Sequence, residues 1–469
     1  MEWINQALLR HKHITTDSRK VTTGSLFVAI QGDVFDGHDY VLKAIEAGAT
    51  GVLIESSKKP KNISSDIYVY ESKNSVDAYR ELAKAWRNRF SIPFICVAGS
   101  VGKTTTKELL AAILRGKFNH VYSTIGSQNG FVGIPLSLLE VNDKTEVAVI
   151  EVGIDETGAM QKHMDLLNPD ISLITAIGPE HLEKLIDLKT VAFEESLALL
   201  LPAQKGAQII LNTDDPWIVP MKDKLTDQTK LFECGFHRHD TSKNFLLGQY
   251  KADTNELLVT LPDSSQILLV CPLPGEHNAR NLLIAVTTAY ALGLKPLEMQ
   301  KGLLTFKGAY GRSEVEIYSQ KNSNHNTVII RDYYNANPTS VVAGLGVLST
   351  ESKKNQSIIK CVALADMKEL GTEEETWHRS LAKPILDQKV NSVFLLGNRM
   401  LWLKDELQKQ GYNGFMFHSD SHNELAKKFI ELFKPGQSVL IKGSRSMKME
   451  EFWKLIAPTI EGNKTQGGL

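Results

Sequence analysis

From Pro93 onward, short apolar runs alternate with segments of helical length, and no other feature constrains the fold as much. FICVAG leads into a helical stretch from Lys103, and VAVIEVG, ISLITAIG and AQIILNTDD follow with helix-length segments between them. A strand buried on both faces reads as a continuous apolar run, and parallel neighbours need crossover connections. The pattern therefore predicts an α/β fold built on a mostly parallel, doubly wound sheet.

The alternation continues on both sides of this segment. Upstream, SLFVAI from Ser25, GVLIE from Gly51 and IYVYE from Ile67 are separated by helix-like GHDYVLKAIEAGA and NSVDAYRELAKAWRNRF. Downstream, a helix over 278–292 ends at Gly293, and the turn-rich GAYGRS from Gly308 precedes NTVIIRDYY, KCVALAD, SVFLLGN and SVLIKGS. A chain of 469 residues exceeds what one hydrophobic core supports. Three domains are expected, over 1–92, 93–309 and 310–469, the last one Rossmann-like. The tail GNKTQGGL is expected to be loose.

Composition excludes several classes. With 42% hydrophobic and 23% charged residues the chain is neither disordered nor membrane-like. A formal net charge of -1 gives no long-range attraction to nucleic acid or anionic lipid, so anions must be captured by local groups. Cys96, Cys234, Cys271 and Cys361 lack metal-ligand spacing and read as small buried hydrophobes. The opening MEWINQALLRHKH lacks the apolar run of a signal peptide, and no stretch has membrane-spanning length, so a cytoplasmic protein is expected.

The strongest local signal is Gly99-Ser100-Val101-Gly102-Lys103-Thr104-Thr105, placed between an apolar strand and the helical TTKELLAAILR. Two residues separate its glycines, fewer than in GxxxxGK(S/T). The physics survives the shortening: glycines let backbone N–H groups wrap an anion, the helix N-terminus adds positive potential, and Lys103 reaches the outer phosphates. Thr104 can offer a hydroxyl to Mg²⁺. The segment is a candidate ATP site.

This loop resembles that of the Mur ligases and their folylpolyglutamate synthetase relatives. Further matches are TTDSR from Thr15, GDVFDGHDY from Gly32, NGFVGIPLSLL, IEVG, IGPEHLE, GEHNARN from Gly275 and Gly311-Arg312. DYYNANP from Asp332, ALADMKELG from Ala363 and KGSRSM from Lys442 are the most specific, and resemble the branch that adds D-alanyl-D-alanine to a UDP-N-acetylmuramoyl-tripeptide. The matches span all three expected domains in order.

The resemblance implies an ATP-dependent ligase working through an acyl phosphate, with Mg²⁺ as cofactor. It assigns Lys103 to the moving phosphoryl group. Thr104 would hold one Mg²⁺, and Glu151 with His181 would hold another. Asn281 would contact adenine, while Arg312 and Asp332 would reach the nucleotide from the linker and third domain. Asp17, Ser18, Arg19, Asp33, Asp36, Gly37 and His38 would grip the UDP-sugar. Asn335, Asn337, Lys442, Ser444 and Arg445 would meet the substrates from the third domain. Many Mur ligases carry a carbamylated, metal-holding lysine after the HLE segment; here Glu195 occupies the aligned position and is expected to supply that carboxylate. The implied partners are UDP-N-acetylmuramoyl-tripeptide and D-alanyl-D-alanine, with no nucleic acid, no membrane insertion and a monomeric chain. Two other readings share the phosphate loop: a sibling ligase with a different amino substrate, and a non-catalytic nucleotide-binding protein.

Overall fold

The computed structural model describes residues 2–32, 34–238, 242–319, 325–357 and 359–461; Asp33 and the tail GNKTQGGL lie outside them. Three sheets follow one another along the chain. The first is four-stranded and parallel, with Ile14–Thr15, Leu26–Val28, Gly51–Glu55 and Tyr68–Ser72 side by side in chain order.

The second sheet has nine strands. Phe94–Ala98 lies between Ile171–Ile174 and Val147–Glu151, with Val121–Ser123 beyond the latter. Gln208–Asn212 and Leu231–Gly235 continue the parallel array on the other side. The order therefore reverses at Phe94–Ala98, and in open α/β sheets the crevice outside the carboxyl ends at such a point takes the ligand. Alternate residues of this strand enter opposite cores: Ile95 and Val97 pack on one face, and Phe94, Cys96 and Ala98 on the other. All four cysteines are free and buried.

The sheet also extends beyond Leu231–Gly235 through three further strands. Phe245–Lys251 joins parallel to Leu231–Gly235, and Glu256–Thr260 and Gln266–Val270 complete an antiparallel edge. Gln266–Val270 alternates exposed and buried residues, as expected for a strand with one solvated face.

In the third sheet Gln437–Lys442 sits between Thr327–Arg331 and Ile359–Ala365, with Ser392–Leu396 and Phe415–Ser419 beyond and Glu314–Tyr318 antiparallel at the other edge. Its core again splits across the two faces. Residues after the carboxyl ends of the second and third sheets line one shared cleft, including Ser100 and Thr175 from the second and Asp332 from the third. No helix among the described residues is long and apolar enough to cross a membrane.

Candidate active site

The cleft between the second and third sheets encloses about 320 Å³. One wall is the loop between Phe94–Ala98 and the helix Lys103–Leu114. Gly99 and Gly102 have φ of 116° and 92°, a region open to glycine at little cost. Neither site has room for a side chain, since a Cβ on Gly99 would lie 2.4 Å from Thr175 Oγ1 and one on Gly102 2.5 Å from Asn281 Oδ1. The Ser100 N–H donates to Ala176 O at 2.7 Å, and Thr175 Oγ1 donates to Val101 O at 2.7 Å, so the neighbouring strand's exit holds the loop.

Lys103 begins the helix, and its Nζ donates to the Gly99 and Ser100 carbonyls and lies 3.2 Å from Glu180 Oε2. Burial works against the ammonium charge, but the carboxylates of Glu180, Glu195 and Glu151 outweigh it and raise the Lys103 pKa. Lys103 thus stays cationic at the end of the loop, where an anion would sit.

Glu151 ends the strand Val147–Glu151 and is 1% exposed. Its Oε1 accepts from Thr104 Oγ1 at 3.1 Å and from Asn129 Nδ2 at 2.8 Å. Its Oε2, 3.5 Å from the Lys107 ammonium, is buried without a hydrogen-bond partner among the described residues. A buried carboxylate with one oxygen on a threonine hydroxyl and the other without a hydrogen-bond partner fits a hard cation, which takes oxygen ligands.

Lys107 was not legible as a site residue. It is fully buried one turn after Lys103 and donates to Thr124 O at 2.5 Å and Gly126 O at 2.7 Å, bracing the cleft wall that carries Ser127. Glu180 was also missed; it lines the cleft and neutralises Lys103.

His181 lines the cleft with φ of 49°, and its Nδ1 lies 2.6 Å from Glu369 Oε2 of the third sheet's side. Burial lowers the imidazole pKa, but the hydrogen bond to Glu369 and the charges of Glu180 and Glu369 more than offset this and hold it above its usual value.

Residues beyond Gly308 form the facing wall. Arg312 Nη2 reaches Ser127 Oγ at 3.4 Å, and its guanidinium lies over the Tyr334 ring at 4.3 Å. Asp332 Oδ1 accepts from the Ser313 N–H at 3.1 Å, and Asp332 Oδ2 pairs with Lys442 Nζ at 2.6 Å. Asn337 caps the helix Pro338–Lys354, accepting from the Ser340 N–H at 2.8 Å. Asn335 Oδ1 accepts from the Ala336 N–H, and both asparagines line the cleft. Asn281, 7% exposed, closes the floor against Gly102.

Three family models match the chain in sequence: the Mur ligase family, catalytic domain, over residues 10–93; the Mur ligase middle domain over 97–289; and the Mur ligase, glutamate ligase domain, over 311–445. A relative from Bacillus subtilis (strain 168), "UDP-N-acetylmuramoyl-tripeptide--D-alanyl-D-alanine ligase", is 30% identical over 443 residues, covering 94% of this chain and 92% of its own. The chain belongs to the Mur ligase family. The similarly named enzyme of Escherichia coli (strain K12) is 29% identical over 441 residues, covering 93% and 92%. Among solved structures, MurF from Acinetobacter baumannii superposes with a TM-score of 0.82 at 25% identity, covering 98% of each chain. The MurF ligase from Thermotoga maritima in complex with ADP shares the fold, with a TM-score of 0.79 at 24% identity over 97% of this chain and 99% of its own.

Several expected residues of this Mur ligase stand outside the cleft. Glu195 was expected to join Glu151 and His181 around a metal, yet it is fully buried and its Oε2 accepts from the Gly99 N–H at 2.8 Å. It supports the loop from behind because the helix Leu188–Gln204 packs under the strand exits. Among the described residues no three His, Cys, Asp or Glu side chains form a metal-binding group, so the expected trio is not assembled.

Of the KGSRSM residues only Lys442 lines the cleft, and its ammonium is taken up by Asp332 and by the Asn335 carbonyl at 3.0 Å. Ser444 Oγ accepts from the Lys368 N–H at 2.8 Å, and Arg445 Nη1 pairs with Glu450 at 2.8 Å. Lys442 and Ser444 therefore brace the third unit's loops, because strand exits that converge leave several carbonyls and amides to satisfy.

In this Mur ligase the first sheet carries a separate constellation. Asp17 binds the Arg19 N–H and guanidinium, whose pairing lowers its carboxyl pKa to about 2, and Ser18 starts the short helical turn that Asp17 caps. Asp36 accepts from Lys58 Nζ at 2.6 Å and His38 Nδ1 at 2.6 Å. His38 Nε2 accepts from the Glu55 N–H at 3.0 Å, which puts the ring proton on Nδ1. A Cβ on Gly37 would lie 2.7 Å from Ile30 N, so only glycine fits.

Proposed function

We propose that this chain is an ATP-dependent amide ligase that adds D-alanyl-D-alanine to UDP-N-acetylmuramoyl-tripeptide, forming the pentapeptide precursor of peptidoglycan. The observation that carries the reading is the shared cleft, in which Lys103, Thr104 and Glu151 face Arg312, Asp332 and Asn335. A carboxylate is a poor acyl donor, and a cleft that places phosphate-binding groups opposite a second substrate wall suits its activation by ATP. The tripeptide carboxylate oxygen attacks the γ-phosphorus, the bond to the β-phosphate oxygen breaks, and ADP departs. The D-alanyl-D-alanine amine then attacks the acyl carbon, losing a proton as phosphate leaves.

The protein's own groups supply positioning and charge. The loop amides of 99–105 and Lys103 hold the β- and γ-phosphates. Thr104 would hold one Mg²⁺, and Glu151 with His181 would hold another; the ions would neutralise phosphate charge. Asn281 contacts the adenine, and Arg312 and Asp332 grip the nucleotide from the other wall. The segment 1–92, through Asp17 to Arg19 and Asp36 to His38, binds the UDP-sugar; 93–309 binds ATP; 310–469 binds the dipeptide through Asn335 and Asn337, which line the cleft. The enzyme works as a monomer in the cytoplasm, where ATP and the nucleotide precursors are.

The test is incubation with ATP, Mg²⁺ and UDP-N-acetylmuramoyl precursors of increasing peptide length, with candidate amino acids or D-alanyl-D-alanine, and product identification by mass. The tripeptide precursor with the dipeptide should yield the pentapeptide product. Condensation of a single amino acid onto a shorter precursor would overturn the reading in favour of a sibling activity.

A further inference from the structure

His181 owes its placement to a distant part of the chain. It precedes the short helix Leu182–Leu185, and its Nδ1 meets Glu369 Oε2 at 2.6 Å. The Leu182 N–H also donates to Glu369 O at 2.8 Å. Glu369 follows the third-sheet strand Ile359–Ala365, so both contacts join the third unit to the second. His181 and Glu369 are non-glycine residues with positive φ, 49° and 65°, a conformation that persists only where the surroundings enforce it. Two residues on, Gly371 has φ of 64°, and a Cβ there would lie 3.0 Å from Leu182 O. Trp377 packs against the hydrophobic cores of both units.

We propose that Glu369 is a positioning residue for His181: by occupying Nδ1 it fixes which ring nitrogen faces the phosphate side of the cleft, and it does so only when the third unit is docked. An imidazole presents one nitrogen reliably when the other is engaged, and a carboxylate is a common partner of this kind for a metal-facing histidine. Nε2 of His181 has no hydrogen-bond partner among the described residues and remains available to the cleft. The pair is a poor device for stability, since the His181 and Glu369 side chains are 34% and 54% exposed and such pairs contribute little. Its geometry instead couples closure of the two walls to the readiness of the phosphate site. The proposal rests on reading the cleft as the ligase site.

The experiment compares the parent with Glu369→Ala and Glu369→Gln. The backbone bond from Leu182 to Glu369 survives in both, so docking is retained. In nucleotide-free and metal-free protein labelled with ¹⁵N-histidine, the His181 ring signals, assigned by their loss in His181→Gln, should shift in Glu369→Ala. In turnover, Glu369→Ala should lose about 10- to 100-fold in kcat and require more Mg²⁺ for half-maximal rate, with an unchanged melting temperature. Glu369→Gln keeps an acceptor for the Nδ1 proton and should recover part of the loss. Unchanged His181 ring signals in Glu369→Ala, or an unchanged kcat and Mg²⁺ dependence, would overturn the proposal. The ring-nitrogen comparison needs no substrate, so it decides the matter even if the parent proves to use a different amine.

Discussion

Glu195 Oε2 accepts a hydrogen bond from the Gly99 backbone N–H at 2.8 Å, tying the middle of the helix Leu188–Gln204 to the first glycine of the phosphate loop. The other oxygen is buried without a partner, and burial pushes the Glu195 carboxyl up to about 8. Lys103 lies close enough to oppose that rise. The carboxylate therefore acts on the loop backbone from beneath, while Glu151 and Thr104 present their oxygens to the cleft.

A pH dependence of stability follows. The folded state holds the Glu195 proton well above the ordinary glutamate range, so between those two values the folded chain binds more protons than the unfolded one. Stability then falls as pH rises toward 8, and the cost is complete above it. Glu195→Gln keeps an acceptor for the Gly99 N–H and removes the titration. Melting temperatures without nucleotide should decline less steeply in the variant than in the parent from pH 6 to 9. Parallel curves would contradict this.

Position 195 is a glutamate held against the Gly99 N–H and not a lysine, so no carbamate can form there. The Mg²⁺ dependence of the parent should be the same with added bicarbonate and in bicarbonate-depleted buffer. A bicarbonate requirement, measured by ADP release, would point to a modified lysine elsewhere.

Lys103→Ala should leave the far-ultraviolet circular dichroism unchanged and reduce ligation at least about 10²-fold, the scale of removing one preorganised group aimed at developing charge. Near-normal turnover would remove Lys103 from the phosphate site.

Gly102→Ala probes the loop itself. Its φ of 92° disfavours alanine by about 1–3 kcal/mol, and the added methyl meets Asn281 Oδ1. Titration calorimetry should show a large loss of ATP affinity with a modest fall in melting temperature. Unaltered affinity would mean the loop does not hold the phosphates.

The parallel strands were legible because both faces are buried and the residues read as unbroken apolar runs; FICVAG and VAVIEVG became adjacent strands. The antiparallel edge at 245–270 was not, since apolar runs such as ILLV from Ile267 show neither strand direction nor pairing, and the alternation there lies in burial and not in residue type. The phosphate loop was legible because its glycines, lysine and threonine are contiguous. Glu180, Lys107 and Glu369 were not, because their significance lies in contacts with residues far along the chain, from the third sheet's side in the case of Glu369, and Lys107 in TTTKELL reads as an ordinary helix charge. Lys442 and Ser444 drew attention as polar residues after a strand, and the strand exit explains them: they satisfy backbone groups of the neighbouring loops.

The most direct test is the amine dependence of ADP release. With UDP-N-acetylmuramoyl-tripeptide, ATP and Mg²⁺ present, D-alanyl-D-alanine should stimulate ADP formation strongly, while free D-alanine and L-glutamate should not. Equal stimulation by L-glutamate, or ADP release indifferent to any amine, would contradict the assignment.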